Sequence, residues 1–290
     1  MHYSSLIYTK GFIMAFSINT NISAMTANLH SNINSMNTDR SIGALASGSR
    51  ISSAAYDASG LGIANQLSAQ VSGLGQSIMN SNDSIGMIQV ADGALQEYGD
   101  ILDQVRVLSL QASNGILNDD NRAIIQQEID SLLSAADDIA KNTSYNGIKL
   151  LDGSGGSSAN GTFTTQSGPD SGDTQSVTIG DAQTSSVLSG TIDVTTQAGA
   201  ASSIDILDSA LESIGGIRAD LGAAQNQLIS NIRNTSVAQI NIAAAESQVR
   251  DIDFAAESAN FSQANIRAQI GSFVQAQANA TGANVTNLFR

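Results

Sequence analysis

The chain has no cysteine and no tryptophan, and it has a single proline, Pro169. Without cysteine there is no disulfide, thiolate metal site or cysteine nucleophile, and the chain is indifferent to redox compartment. Aromatic residues make up only 4% of its 290 residues, and none lies between Phe163 and Phe254, which argues against two ordinary compact cores. Basic residues are few. With 12 Lys and Arg against 26 Asp and Glu, the net charge is -14, and nucleic-acid binding is disfavoured because phosphate neutralisation needs clustered cations. No run approaches the ~20 apolar residues of a membrane span, so no membrane partner is expected.

What is present is helical pattern at both ends. Residues 15–150 and 204–290 carry long apolar periodicities, and Gly, Ser and Thr dominate between them. The pattern predicts a mainly α protein: an elongated antiparallel helical bundle or coiled coil built by both chain ends, with a small β-hairpin region in the middle. Ile18, Ile22, Met25, Leu29, Ile33 and Met36 recur at spacings of three and four, an apolar stripe that needs a partner. The same segment is rich in Asn, Ser and Gly, each less helix-favouring than Ala by roughly 0.5–1 kcal/mol. Helix on assembly, and disorder before it, is the expectation. A second helix is predicted over about 61–110, with Ile78, Ile85, Ile88, Leu95, Ile101, Val105 and Leu108 buried.

Asp119, Asp120 and Asn121 offer caps for a third helix, along which Ile125, Ile129, Leu132, Ala136 and Ile139 follow a heptad-like spacing. In 152–203, Ser176–Ile179 and Gly190–Val194 suggest one or two hairpins between exposed loops, a small cap. Ile204, Leu207, Leu211, Ile214, Ile217, Leu221, Ala224 and Leu228 resume a helical stripe. Phe261, Ile266, Ile270 and Phe273 mark a final amphipathic helix from Phe254 to about Asn279. Residues 1–13 look foreign to this plan: they make a poor signal peptide, and Met14-Ala15-Phe16-Ser17-Ile18-Asn19 reads as a natural start.

These residues carry a resemblance to bacterial flagellin. It rests on Met14 to Asn21, Ser47-Gly48-Ser49-Arg50-Ile51, Asp57-Ala58-Ser59-Gly60, Asn82-Asp83-Ser84-Ile85 and Thr143-Ser144-Tyr145-Asn146-Gly147. In the second half it rests on Leu221-Gly222-Ala223, Ile252-Asp253-Phe254-Ala255, Gln275 to Asn279 and Leu288-Phe289-Arg290. The resemblance covers nearly everything except 1–13 and about 154–203. It implies a filament subunit exported unfolded, without a cleaved signal, by the flagellar type III apparatus. Its implied partners are other copies of itself, an export chaperone, the filament cap and hook-junction proteins. Its implied location is the extracellular filament.

Residues 14–55 and 252–290 would then form the inner tube helices, 56–151 with 204–251 the outer layer, and 152–203 the hairpin and loop region. The subunit interface would include Ile18, Ile22, Leu29, Ile33, Arg50, Phe261, Ile266, Ile270, Phe273, Leu288 and Arg290. Like-charge repulsion should make polymerisation accelerate with moderate salt. A hook-filament junction protein of the same superfamily is the alternative.

Two departures from the family pattern fall at the 47–57 bend: Tyr56 replaces a usual acidic residue and Ser49 a usual Leu. On the stretch that matches the family's Toll-like receptor epitope, Leu102, Arg106 and Leu108 agree, as does Glu128. Gln104 lacks a guanidinium and Val107 lacks a carboxylate, so weak receptor stimulation is expected. Nothing points to catalysis, a cofactor or a metal. His30 is isolated, Gly153 to Gly156 lacks the Gly-Lys-Ser/Thr of a phosphate loop, and Asp137-Asp138 and Asp251 with Asp253 read as solvated helix faces or caps. Ser and Thr between 154 and 203 are plausible O-glycan acceptors.

Overall fold

The computed structural model describes residues 20–156 and 159–288. The expectations for residues 1–13, Ile18 and Arg290 lie outside the described residues, as does the side chain of Leu288. Six helices and two hairpins are found among those described: α1 (Ile22–Ser47), α2 (Ala58–Ala112), α3 (Asp119–Asn142), β1 (Ser144–Tyr145), β2 (Ile148–Lys149), β3 (Thr162–Gln166), β4 (Thr174–Thr178), α4 (Thr184–Val187), α5 (Gln197–Arg250) and α6 (Phe254–Leu288). The protein is mainly α, as the periodicity predicts. Contacts divide it into a terminal unit, up to residue 65 and from 246 onward, and a middle unit of 66–245.

In the terminal unit α1 and α6 pack against each other and run antiparallel. Asn21 donates from Nδ2 to the Ala278 carbonyl at 2.9 Å and also caps α1 by accepting from the Ala24 N–H at 3.0 Å. The chain leaves α1 through Gly48 at φ +69°, a left-handed position that Gly adopts without a Cβ penalty. Two backbone hydrogen bonds then tie the two breaks together, Ile252 N–H donating to the Gly48 carbonyl and Arg50 N–H to the Arg250 carbonyl, and they make Ser49 and Asp251 an antiparallel bridge pair. Asp57 caps α2 through the Gly60 N–H at 2.7 Å, and Asp253 caps α6 through the Ala255 and Ala256 N–H groups. Tyr56 lies under the Arg40 guanidinium, 4.7 Å from its centroid. At this bend a ring face holds the Arg40 cation.

The middle unit has the large core. On α2, Ile88, Ala91, Leu95, Tyr98, Leu102 and Val105 follow an alternating three-four spacing and are buried. They meet Ile125, Ile129 and Ala136 of α3 and Leu207, Ala210, Ile214, Leu221 and Leu228 of α5. Arg218 to Asp92 and Gln239 to the Val71 carbonyl fix α2 and α5 antiparallel. The cap of α3 is Asn118, which accepts from Asn121 N–H at 2.9 Å; Asp119 and Asp120 instead occupy the first turn, where the helix dipole favours them. Arg122, almost fully buried, donates from Nε to the Ala112 carbonyl and from Nη2 to the Asn114 carbonyl. It closes the C-terminal end of α2, a role its sequence neighbourhood does not announce.

The 152–203 region is more than an exposed cap. Phe163, Val177, Ile179, Val187, Ile192 and Val194 all enter the core. The β3–β4 hairpin docks on α2 through Ser84 Oγ to Thr165 Oγ1 and through Asn80 to the Gln166 carbonyl. Gly190–Val194, expected as a strand, pairs with none. Its backbone groups are taken by side chains instead: Gln126 accepts from Val194 N–H and donates to the Ile192 carbonyl, and Ser203 Oγ accepts from Asp193 N–H. A hairpin not anticipated from sequence joins β1 to β2 through Asn146 and Gly147, both at positive φ, the backbone that a two-residue Asn-Gly turn supplies.

Candidate assembly interface

The seam between α1 and α6 is lined by small and polar side chains. On α1 the covered positions are Ala24, Ala27, Ser31, Asn34, Thr38, Ser41, Ala44 and Leu45; on α6 they are Glu257, Ser258, Phe261, Ala264, Ala268, Gly271, Gln275 and Ala278. Most steps in both series are of three and four, the register of a coiled-coil seam. Small residues let the two backbones approach: a Cβ added at Gly271 would already meet Ser31 and Asn34 at 3.9 Å.

Apart from Leu45 and Phe261, most large apolar residues of these helices point elsewhere. Ile22, Leu29 and Ile33 on α1 are 64%, 58% and 45% exposed, and Ile266, Ile270 and Phe273 on α6 are 57%, 56% and 72% exposed. The stripe, expected to be covered on assembly, is left open by the chain's other end, because mostly small side chains hold the facing positions. Phe261 differs from the rest of its set, since it is half-buried in the seam. Arg50 is exposed, and its Nη2 donates to the Val249 carbonyl at 2.6 Å. Contiguous exposed apolar surface of this kind marks an interaction site.

On the middle unit, one expected patch residue is a correction. Leu102 is 0% exposed, because its place in the α2 repeat faces α3 and α5, so it cannot be a surface contact. Leu108 is half-buried against the same core. Gln104 and Glu128 are exposed, and among the described residues no hydrogen bond or ion pair joins Glu128 to the α2 members. Arg106 is already engaged: its Nε donates to Asp208 at 2.5 Å. That hydrogen bond raises the Arg106 pKa and lowers that of Asp208. Tyr98 is enclosed in the core, and burial pushes its phenol up, opposed by the nearby Thr184 hydroxyl. Neither oxygen makes a well-formed hydrogen bond, so that contact is electrostatic proximity only.

Among the described residues no group of His, Asp or Glu is placed to hold a metal. No described helix is long and apolar enough to cross a membrane. Together, the coiled terminal pair with its apolar outer face and the helical core with its docked hairpin define a helical subunit with surface left over for partners. The model of the bacterial flagellin N-terminal helical region matches residues 18–155, and that of the C-terminal helical region matches 204–289. The chain belongs to the bacterial flagellin family, whose members are structural proteins, and it is a subunit of the flagellar filament.

Flagellin FlaB2 of Treponema pallidum is 36% identical over 288 residues, covering 94% of this chain and 99% of that one. The flagellar filament 31.3 kDa core protein of Treponema maltophilum is 34% identical over 284 residues, with the same coverage. A solved structure of a putative flagellar hook-associated protein from Vibrio parahaemolyticus aligns with TM-score 0.53 over 64% of this chain and 95% of that one. At 15% identity, that likeness shows the fold alone.

Proposed function

We propose that the exposed apolar faces of α1 and α6 are the surfaces through which copies of this chain join in the filament. One observation carries the reading: the terminal helices cover mostly small residues against each other and leave Ile22, Leu29, Ile33, Ile266, Ile270 and Phe273 outside. Burying Ile22, Leu29, Ile33, Ile266, Ile270 and Phe273 between copies would recover roughly 1.5–3 kcal/mol per side chain. Among the described residues of the terminal unit the buried apolar ones are Ala27, Ala44, Ile51, Ala64 and Ala264, a thin core for helices of 26 and 35 residues. Residues 14–55 with 252–290 are accordingly the inner tube layer, and 56–151 with 204–251 the outer layer. Interfaces that do not close on themselves give an open helical polymer.

The thin core also supports export through the flagellar type III apparatus in an unfolded state, to an extracellular filament, with chaperone, cap and hook-junction proteins as partners. Marginal helices that order only when their faces are covered can pass a narrow channel. Limited proteolysis of the purified monomer should trim both ends together and leave a resistant middle fragment unable to polymerise. Purified subunits should extend flagellar seeds, faster in moderate salt; monomers that persist under seeding would favour the junction role. Stimulation of the vertebrate Toll-like receptor for flagellin should be weak, because Gln104 and Val107 lack the expected charges and Arg106 is held by Asp208. A reporter-cell response equal to that of an arginine-bearing flagellin would overturn this.

A further inference from the structure

We propose that Arg40 and Arg50 form a receiving site for a carboxylate of a second copy of this chain, an inference that rests on the assembly reading above. Both arginines line one groove of about 280 Å³ in the terminal unit, with Asn37, Ser41, Ile252 and Glu257. Arg106, Arg122, Lys141, Arg218 and Arg250 each have an intrachain carboxylate partner. Arg40 and Arg50 have none among the described residues; Lys149, Arg233 and Arg267 also lack one, but none of those three lines the groove. Tyr56 occupies one face of the Arg40 guanidinium and leaves its N–H edge open, while Arg50 spends one N–H group on the Val249 carbonyl. A guanidinium stacked on a ring is held in place with its fork of donors directed sideways, the arrangement that takes a carboxylate at two points.

Glu257 lines the same groove without pairing to either arginine. Its Oε2 accepts from Asn260 at 3.2 Å. Two guanidinium groups and one carboxylate leave the groove with one surplus positive charge, which matches a single incoming carboxylate. The chain itself supplies the complement. Residues 66–245 hold 20 acidic residues against 6 basic ones, a net of -14, whereas residues 20–65 and 246–288 hold 6 acidic against 4 basic, a net of -2. In a protein so short of cations, two unpaired arginines in one groove are a specific address for the acid that each neighbouring copy brings.

The test compares seeded elongation by the full chain at fixed ionic strength. Arg40→Gln with Arg50→Gln should slow elongation about tenfold or more, with the monomer's circular dichroism and thermal midpoint unchanged. In a second arm, filaments are grown from a mixture of isotope-labelled and unlabelled Arg40→Lys subunits and treated with a zero-length carbodiimide. Mass spectrometry should find the introduced lysine joined to an Asp or Glu of a different copy. Wild-type elongation by the double variant, or cross-links confined to Glu257 of the same copy, overturns the site. If the unmodified protein does not extend seeds, or if Ile270→Ser, which lies outside the groove, extends them at the unmodified rate, the assembly reading itself fails.

Discussion

The terminal and middle units use the same element, a long antiparallel helix pair, and bury opposite kinds of residue. In 66–245 the covered positions are Ile88, Leu95, Leu102, Leu207, Leu221 and Leu228, and most of the chain's charge lies in this unit. On α1 and α6 of the terminal unit the buried positions are Ala27, Ser41, Ala44 and Ala264, while Ile22, Ile33, Ile266, Ile270 and Phe273 are outside. Heptad spacing alone thus does not determine whether a helix pair is complete in one chain. The size of the residues at the covered positions does: leucine seams gain enough from burial to stand alone, and alanine and serine seams bring backbones together while leaving the driving force for another contact.

The contrast would break first at the exposed faces. Ile266→Ser with Ile270→Ser should abolish seeded elongation while leaving the unfolding midpoint of the middle unit unchanged; electron microscopy and calorimetry read the two outcomes separately. Filaments of normal length would mean that these side chains are ordinary surface residues. Next in size, Leu102→Ala should cost about 3 kcal/mol of middle-unit stability in denaturant unfolding, because it empties a fully buried site. A loss well under about 1 kcal/mol would place Leu102 on the surface after all. Third, Arg122→Met should cost about 2 kcal/mol, since the Ala112 and Asn114 carbonyls lose a charged donor; methionine keeps the stem, so the change isolates the hydrogen bonds.

The split between the units was partly legible in the sequence. The α2 and α5 stripes were visible because Leu, Ile and Val recur at helical spacing, and Leu207, Ile214, Leu221 and Leu228 are buried where that periodicity puts them. In α1 the same method marks the face left open for assembly and not the intrachain seam. A periodicity of large residues finds the side that must be covered eventually, and Ala27, Ser41 and Ala44 give no such signal. Leu102 was misassigned for a related reason: matched to a surface motif, it lost its place in the 88-95-102 series that puts it inside. Gly190–Val194 has strand composition, but pairing is a tertiary decision, and Gln126 and Ser203 had already claimed its backbone. The Asn146-Gly147 hairpin had an explicit signal in its own dipeptide.

The smallest expected effect is a pH dependence confined to the middle unit. Asp208 accepts from Arg106 Nε at 2.5 Å, and that bond lowers its pKa, as the Thr195 hydroxyl and N–H lower that of Asp193. A carboxyl whose pKa is lower folded than unfolded contributes stability above its unfolded value, about 3.9. That contribution is lost as pH falls through the folded value. Both side chains are well exposed to solvent, so the contribution is modest. Protonation at the same pH also relieves the repulsion of the 20 acidic residues against 6 basic ones in 66–245, which acts in the opposite direction. The two are separable: Asp208→Asn removes the paired carboxylate and only one of the repelling charges. Thermal midpoints taken from about pH 5 down to about pH 2.5 should therefore fall less steeply for Asp208→Asn than for the unmodified chain, and parallel curves would show that the Arg106 pair contributes nothing to the middle unit's stability.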